Sequence, residues 1–205
     1  MSGAMFELTS RHNTERRLTL VRASIDDCVQ HAVDQIGPMA QDKGIGVNVD
    51  LDPPDTHLYM DPAAIEQVLV NLLENSCKFT RRNGSIEITG RLASWESLAP
   101  EGSFGSKEIF PAYKIEVHDN GMGILPEQLG SVFEEYTSYA GARDRSGGGL
   151  GLAICKMLIA EHQGSIWAQS DRQGTKMSFI LPLRQEMVIG QPVNVPDAVV
   201  AATGF

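Results

Sequence analysis

Apolar residues recur along this chain at two spacings, and the changes of spacing mark the boundaries of its elements. From Ser24 to Asp42 they fall at Ile25, Val29, Ala32, Val33, Ile36 and Met39, a helical period, with Ser24 placed to cap the start and Gly44 to stop the end. From Gly46 to Leu51 the period drops to two, with Val47, Val49 and Leu51 against Asn48 and Asp50, which predicts a half-buried strand ended by Pro53-Pro54. Asp61-Pro62 opens a second helix that runs to about Phe79, the Asp accepting from free amides and the Pro sitting where a missing N–H does no harm. Alternation returns over Ser85 to Leu92 and Tyr113 to His118. These read as neighbouring antiparallel strands, with Ala93 to Pro111, rich in Ser, Gly, Pro and Glu, as a surface insertion between them. A short Pro-initiated helix is expected near Pro126 to Glu134, followed by a Gly- and Arg-containing stretch, Thr137 to Gly149, read as a mobile loop. Leu150, Ile154, Met157 and Leu158 share one face of a further helix closed by Gly164. Strands at Ser165 to Ser170 and Lys176 to Leu183 are joined through Gly174. From Arg184 onward the periodicity fades, and the tail reads either as a linker or as an extension that packs back.

The 205 residues fit one ordinary domain or one domain with appendages, and 42% hydrophobic content is enough for a packed core. A formal charge of −9, with Lys and Arg scattered apart from pairs such as Arg16-Arg17 and Arg81-Arg82, argues against nucleic acid as a partner. No apolar run approaches the length of a membrane-spanning helix, and the N-terminus lacks the basic-then-apolar pattern of a signal peptide. The expectation is a cytoplasmic chain that makes no membrane contact itself. Cys28, Cys77 and Cys155 are odd in number, far apart and each within a helical pattern, so they read as buried core thiols rather than a disulfide framework or zinc site. The opening Met1-Ser-Gly-Ala-Met5 contains a second Met and reads as an expression remnant.

Four polar islands then stand out. In the helix from Asp61 to Phe79, Ile65, Val68, Leu69, Leu72, Leu73 and Ser76 form one stripe. Asn71, Asn75 and Lys78, at i, i+4 and i+7, form another about a quarter-turn away. The second stripe is either a solvated polar face or a ligand face, where an amide oxygen suits magnesium and an ammonium suits phosphate. Asp119-Asn-Gly121-Met-Gly123 follows a strand. It is either an ordinary turn or a site where a carboxylate, an acceptor only, reads an exocyclic amine such as that of adenine, with both glycines free to take left-handed angles. Gly147-Gly-Gly149-Leu-Gly151-Leu152 opens a helix, where unpaired N–H groups and the helix dipole attract phosphate. Its spacing is not that of a Walker loop or a dinucleotide-binding motif. Arg143 and Arg145, just before, are either solvated loop charges or contacts to a terminal phosphate. Gly174-Thr175 is the last island.

In this order and spacing the islands resemble the catalytic and ATP-binding domain of sensor histidine kinases, a branch of the ATPase superfamily that includes type II topoisomerases, a heat-shock chaperone and mismatch-repair proteins. The resemblance covers about Arg17 to Leu183. Asn71 to Lys78 matches the N box, Asp119 to Gly123 the first glycine box, Phe133-Glu-Glu-Tyr136 the F box, Gly147 to Leu152 the second glycine box and Gly174-Thr175 the last. The family implies an α/β two-layer sandwich, a mixed, mostly antiparallel sheet with helices on one face. ATP, with ADP as its product, would lie between the N-box helix and a lid. Residue by residue, the resemblance makes Asn75 the Mg2+ ligand, Lys78 a phosphate contact, Asp119 the adenine reader and Gly147 to Gly151 the lid hinge. The wider nucleotide contact set comprises Asn71, Gly121, Gly123, Ile124, Tyr136, Arg143, Arg145, Gly149, Leu150, Leu152 and Thr175. Asn71 stands where the topoisomerase and chaperone relatives carry a water-activating Glu, so transfer to a protein acceptor is expected rather than efficient hydrolysis. Glu74 is either a polarising base for the incoming histidine or a surface acid.

The resemblance also implies what lies outside the domain. Residues 1–16 would be the remnant and the end of an upstream hairpin helix, 17–183 the ATP-binding domain and 184–205 an extension or linker. Neither His12, before Asn13-Thr14-Glu15, nor His31, before Ala32-Val33, has the acid-and-base context of the phosphoacceptor. The expected partner is therefore a phosphoacceptor histidine hairpin of the same parent, in cis or trans, and beyond it a response regulator. Two other readings share these boxes: a stand-alone serine kinase acting on an anti-sigma-factor antagonist, and a non-catalytic nucleotide sensor.

Overall fold

The computed structural model describes residues 18–97, 108–134 and 150–183. The order of elements is β1 (Val21–Ser24), α1 (Ile25–Lys43), β2 (Gly46–Asp52), β3 (His57–Met60), α2 (Pro62–Phe79), β4 (Ser85–Ser97), β5 (Glu108–Asp119), α3 (Pro126–Leu129), α4 (Gly151–Glu161), β6 (Ser165–Asp171) and β7 (Gly174–Pro182). Five strands form one sheet in the order β2-β4-β5-β7-β6, and β1 pairs with β3 in a separate two-stranded sheet. Only β2 and β4 run parallel within the larger sheet. This is the mixed, mostly antiparallel α/β sandwich expected.

Alternation along the strands explains the layering. Ile86 and Ile88 of β4, Ile115 and Val117 of β5, and Met177, Phe179 and Leu181 of β7 are buried in a single cluster with the stripes of α1, α2 and α4. The residues between them on β4 and β5, Glu87 and Glu116, are polar, whereas on β7 Ser178 and Ile180 are buried as well; Glu116 is flanked by Lys114 at 3.1 Å and Lys176 at 3.8 Å. One face therefore carries the helices and the other the charged cluster of Lys114, Glu116 and Lys176, as period-two patterning favours for a sheet packed on one side, with β7 covered on both faces at Ser178 and Ile180. In α2 the predicted stripe Ile65, Val68, Leu69, Leu72, Leu73 and Ser76 is fully buried. Truncating any one of its leucines to Ala would cost about 2–5 kcal/mol.

The predicted helix ends are present. The Ser24 side chain accepts from the Asp27 amide and Gly44 caps α1 in the left-handed region, while Asp61 accepts from Ala64 at the start of α2 and Pro62 is its first residue. Elsewhere the fold departs from the pattern. The strands flanking the predicted insertion are longer than expected: β4 continues to Ser97 and β5 begins at Glu108, paired in register from Leu92↔Tyr113 to Ser97↔Glu108. The helix expected to reach Glu134 stops at Leu129, and turns carry the chain onward. In α4, Met157 is 52% exposed and off the core face. The buried residues are Cys155, Leu158 and Ile159, with His162 just after the helix, so Met157 does not take the core place that the spacing predicted for it. The residue that turns left-handed after α4 is Gln163, φ 58°, not Gly164. Gly164 answers to space instead, since a Cβ there would lie 2.3 Å from the Ile180 carbonyl. All three cysteines are free and buried, and burial pushes the Cys28 and Cys155 thiols up to about 12.

Candidate nucleotide site

Asp119 is the last residue of β5, where the strand passes beneath the C-terminal half of α2. Its side chain is 4% exposed. Oδ1 accepts from the Gly121 amide at 3.0 Å and Oδ2 from the Ser76 hydroxyl at 3.1 Å. Burial raises the carboxyl above its ordinary range, opposed by the hydrogen bonds from Gly121, Ser76 and the Thr175 backbone and by the neighbouring His118. A carboxylate so placed is oriented by its partners and keeps acceptor capacity, because two oxygens offer about four lone-pair positions. Ser76, absent from the sequence-derived site, is thus the residue that locks Asp119. Its only sequence signal is that it is the one polar member of an otherwise apolar stripe.

The backbone around Asp119 is closely packed. Gly174 adopts φ 138°, and a Cβ on it would lie 1.8 Å from the Asp119 carbonyl oxygen, so no other residue fits. Thr175, its neighbour, is buried and pairs directly with Asp119 across β5 and β7. Of the two glycines expected to be left-handed, only Gly123 is, at φ 74°. Gly121 answers to crowding, since a Cβ there would lie 2.7 Å from Asp119 Oδ1 and 2.8 Å from the Phe79 carbonyl. Ser170, also unforeseen, ties the turn together: its hydroxyl oxygen accepts from the Ile124 amide and the hydroxyl donates to the Gly174 carbonyl, each at 2.8 Å. Asn120 leaves the site altogether, its Oδ1 accepting from the Ser85 amide at 2.9 Å to fasten β4.

One turn away, the polar stripe of α2 is half-buried. The Asn71 amide donates to the Gly151 carbonyl at 3.5 Å and bonds the Cys155 sulfur, so it bridges α2 to the first turns of α4. Asn75 precedes Ser76, and the Lys78 ammonium lies 5.7 Å from the centre of the Phe79 ring. Glu74 is exposed, while Leu150, Gly151 and Leu152, half-buried, begin α4 against this stripe. Tyr136, Arg143, Arg145, Gly147 and Gly149 lie outside the described residues, as does the predicted mobile loop. Among the described residues no cluster of three His, Cys, Asp or Glu side chains is arranged to hold a metal. The Asn75 side chain offers a neutral amide oxygen, a donor type that suits magnesium when phosphate oxygens complete its coordination.

Comparison with known proteins fits this geometry. The family model described as histidine kinase-, DNA gyrase B- and HSP90-like ATPase matches residues 60–185. The sensor protein EvgS of Escherichia coli O157:H7 is 30% identical over 182 residues, which cover 84% of this chain and 14% of that protein. The adaptive-response sensory kinase SasA of Synechococcus sp. (strain JA-2-3B'a(2-13)) is 26% identical over 171 residues, 83% of this chain and 41% of that protein. The chain thus spans less than half the length of these relatives. Among solved structures, the histidine kinase ThkA in complex with response regulator protein TrrA superposes with a TM-score of 0.67 at 22% identity, over 88% of this chain and 46% of that one, a likeness of fold.

Proposed function

This chain belongs to the family of histidine kinase-, DNA gyrase B- and HSP90-like ATPases, and from that premise we propose that it binds ATP with magnesium and passes the γ-phosphate to a histidine on a separate phosphoacceptor hairpin of a sensor kinase. The observation that carries the reading is the buried Asp119 carboxylate, held by Ser76 and Gly121 at the end of β5. A site floored by an oriented acceptor selects a base edge that donates, and adenine offers its exocyclic amine where guanine offers a carbonyl.

Asn75 would hold the magnesium ion, which when bound neutralises phosphate charge and orients the transferred group. Lys78, one turn on, meets phosphate oxygens as a point charge. Asn71 joins the nucleotide-facing side of α2 to the start of α4 through the Gly151 carbonyl. With an amide there in place of a carboxylate, the site has no base at that position to deprotonate water. Glu74 is exposed on α2, which supports a role as the polarising base for an incoming histidine. Gly121, Gly123, Ile124 and Thr175 shape the base end. Leu150, Gly151 and Leu152 would meet the phosphate end; Tyr136, Arg143, Arg145, Gly147 and Gly149, expected of the same end from the family resemblance, lie outside the described residues. Catalysis of this kind is positioning and charge neutralisation. TrrA in the ThkA complex supports a response regulator as the downstream recipient, and supply of ATP places the reaction in the cytoplasm. Among the described residues no helix is long and apolar enough to cross a membrane.

The test is incubation of this chain with γ-labelled ATP, magnesium and the hairpin segment of its parent kinase. Label that appears on the hairpin and is lost in acid but kept in base is expected of phosphohistidine. Acid-stable label would instead indicate a serine kinase, and no transfer despite nucleotide binding would indicate a sensor.

A further inference from the structure

An α-helix leaves its last four carbonyls without helical partners, and the negative end of its dipole sits there. At the end of α2 these belong to Ser76, Cys77, Lys78 and Phe79, and the segment that carries them also carries Lys78 and abuts Gly121. The Ser76 carbonyl accepts from the Thr80 amide at 2.9 Å. The next two are taken by a residue of another helix: Lys43, the last residue of α1, donates from its ammonium to the Cys77 carbonyl at 2.7 Å, the Lys78 carbonyl at 2.8 Å and the Thr80 carbonyl at 3.3 Å. The Phe79 carbonyl faces Gly121, the residue whose amide holds Asp119.

The embrace is mutual. The Lys43 carbonyl accepts from the Asn83 amide at 2.9 Å, the Gly46 amide donates to the Gly84 carbonyl at 3.0 Å, and Arg82 reaches back to the Asp42 carbonyl at 2.8 Å. The ends of α1 and α2 are therefore interlocked, and all three ammonium bonds of Lys43 go to backbone that no helix hydrogen bond holds.

We propose that Lys43 is a positioning residue for the phosphate end of the site, acting through Lys78. By fixing the carbonyls of Cys77, Lys78 and Thr80 it sets the direction in which the Lys78 side chain leaves α2, and without it the last turn of that helix frays and the Lys78 ammonium is no longer held over the phosphates. This rests on the assignment of Lys78 as a phosphate contact. Because adenosine has the base but no phosphates, the ratio of ATP to adenosine affinity reads this role, whereas a plain helix cap would lower stability and leave the ratio alone.

The experiment is calorimetric titration of the full chain and its Lys43→Met, Lys43→Arg, Lys78→Met and doubly substituted variants with Mg-ATP and with adenosine, alongside thermal melts. Met keeps the apolar stem of Lys43 and removes its donors. Lys43→Met should weaken ATP by about tenfold and adenosine by less than about threefold, Lys43→Arg should recover most of the loss, and adding Lys43→Met to Lys78→Met should cost ATP little more. Should Lys43→Met not fold, Lys43→Gln, which keeps one amide donor group, reads the same ratio. Equal losses for ATP and adenosine, or a lower melting temperature with an unchanged ratio, would overturn the proposal and leave Lys43 a cap. If Lys78→Met also leaves the ratio unchanged, the assignment of Lys78 falls first and this role with it. If Lys78→Met shifts the ratio and Lys43→Met does not, only the role of Lys43 falls.

Discussion

At the β5 end of the site Asp119 and Thr175 are buried and their neighbours are packed to backbone contact, whereas at the α2–α4 end Asn71, Asn75 and Lys78 are half-exposed and Gly151 has room around it. A Cβ on Gly174 would lie 1.8 Å from the Asp119 carbonyl, while one on Gly151 would meet nothing nearer than Asn71 at 3.7 Å. The difference matches what the proposed nucleotide would ask of each end. A flat base is discriminated by one hydrogen bond in a fixed place, so that bond is prepared before the ligand arrives and water is displaced at little cost in order. A triphosphate is held by charge, which tolerates side-chain motion, so the groups that meet it can stay solvated until it binds.

Paired glycine substitutions are the harshest way to break this comparison. Gly174→Ala should cost about 3 kcal/mol or more in urea unfolding, adding backbone strain to overpacking. Gly151→Ala should stay within about 1 kcal/mol of the parent, because it sits in a helix with space for a methyl group. Comparable losses for both would mean that the two ends are equally tight. Next in size, Asp119→Asn should lower ATP affinity by about 30-fold or more and abolish preference over GTP, since an amide can donate to the guanine carbonyl. Retained preference would remove Asp119 from the base end. Smaller again, Asn75→Ala should slow magnesium-dependent transfer by about tenfold or more while ATP binding changes less, and the reverse ordering would take the metal away from Asn75.

The smallest effect concerns His162, which lies outside both ends but ties α4 to the start of α2. Its Nδ1–H donates to the Leu158 carbonyl at 2.7 Å and its Nε2 accepts from the Asp61 amide at 3.0 Å, which requires the neutral ring. Burial lowers its pKa, opposed by the Leu158 carbonyl and by Asp61 and Glu161. On acidification the unfolded chain therefore takes up this proton first. The contribution is intact above about pH 6.5 and is lost progressively as pH falls below that toward the folded value. His162→Gln, which can both donate and accept, should flatten the fall in melting temperature between about pH 7 and 5.5. An unchanged slope would show that other groups cause it.

Much of this was legible in the chain because the signals are local. The Asp61-Pro62 start of α2, its buried stripe and the adjacent Asn71, Asn75 and Lys78 follow from spacing within one helix, and the pairing of β4 with β5 follows from two alternating runs. The small sheet of β1 and β3 was not legible. Each strand has four residues, and their pairing, Val21↔Met60 to Ser24↔His57, spans a whole helix and strand. The same reason hid Ser76, Ser170 and Lys43, which have partners 43, 46 and 35 residues away, chosen by packing rather than period. Ser170 looked like any strand-end serine and Lys43 like any cation in a last helical turn. Met157 was placed on the wrong face because the α4 sequence is apolar nearly all round, and hydropathy alone cannot choose the stripe that meets α2.

Calorimetric titration of the chain with ATP, ADP and GTP, each with and without magnesium, tests the central claim most directly. The prepared base end predicts binding of both adenine nucleotides even without the metal, strengthened by magnesium for ATP, and little or no binding of GTP. GTP binding as tightly as ATP, or selectivity that appears only when magnesium is present, would contradict it.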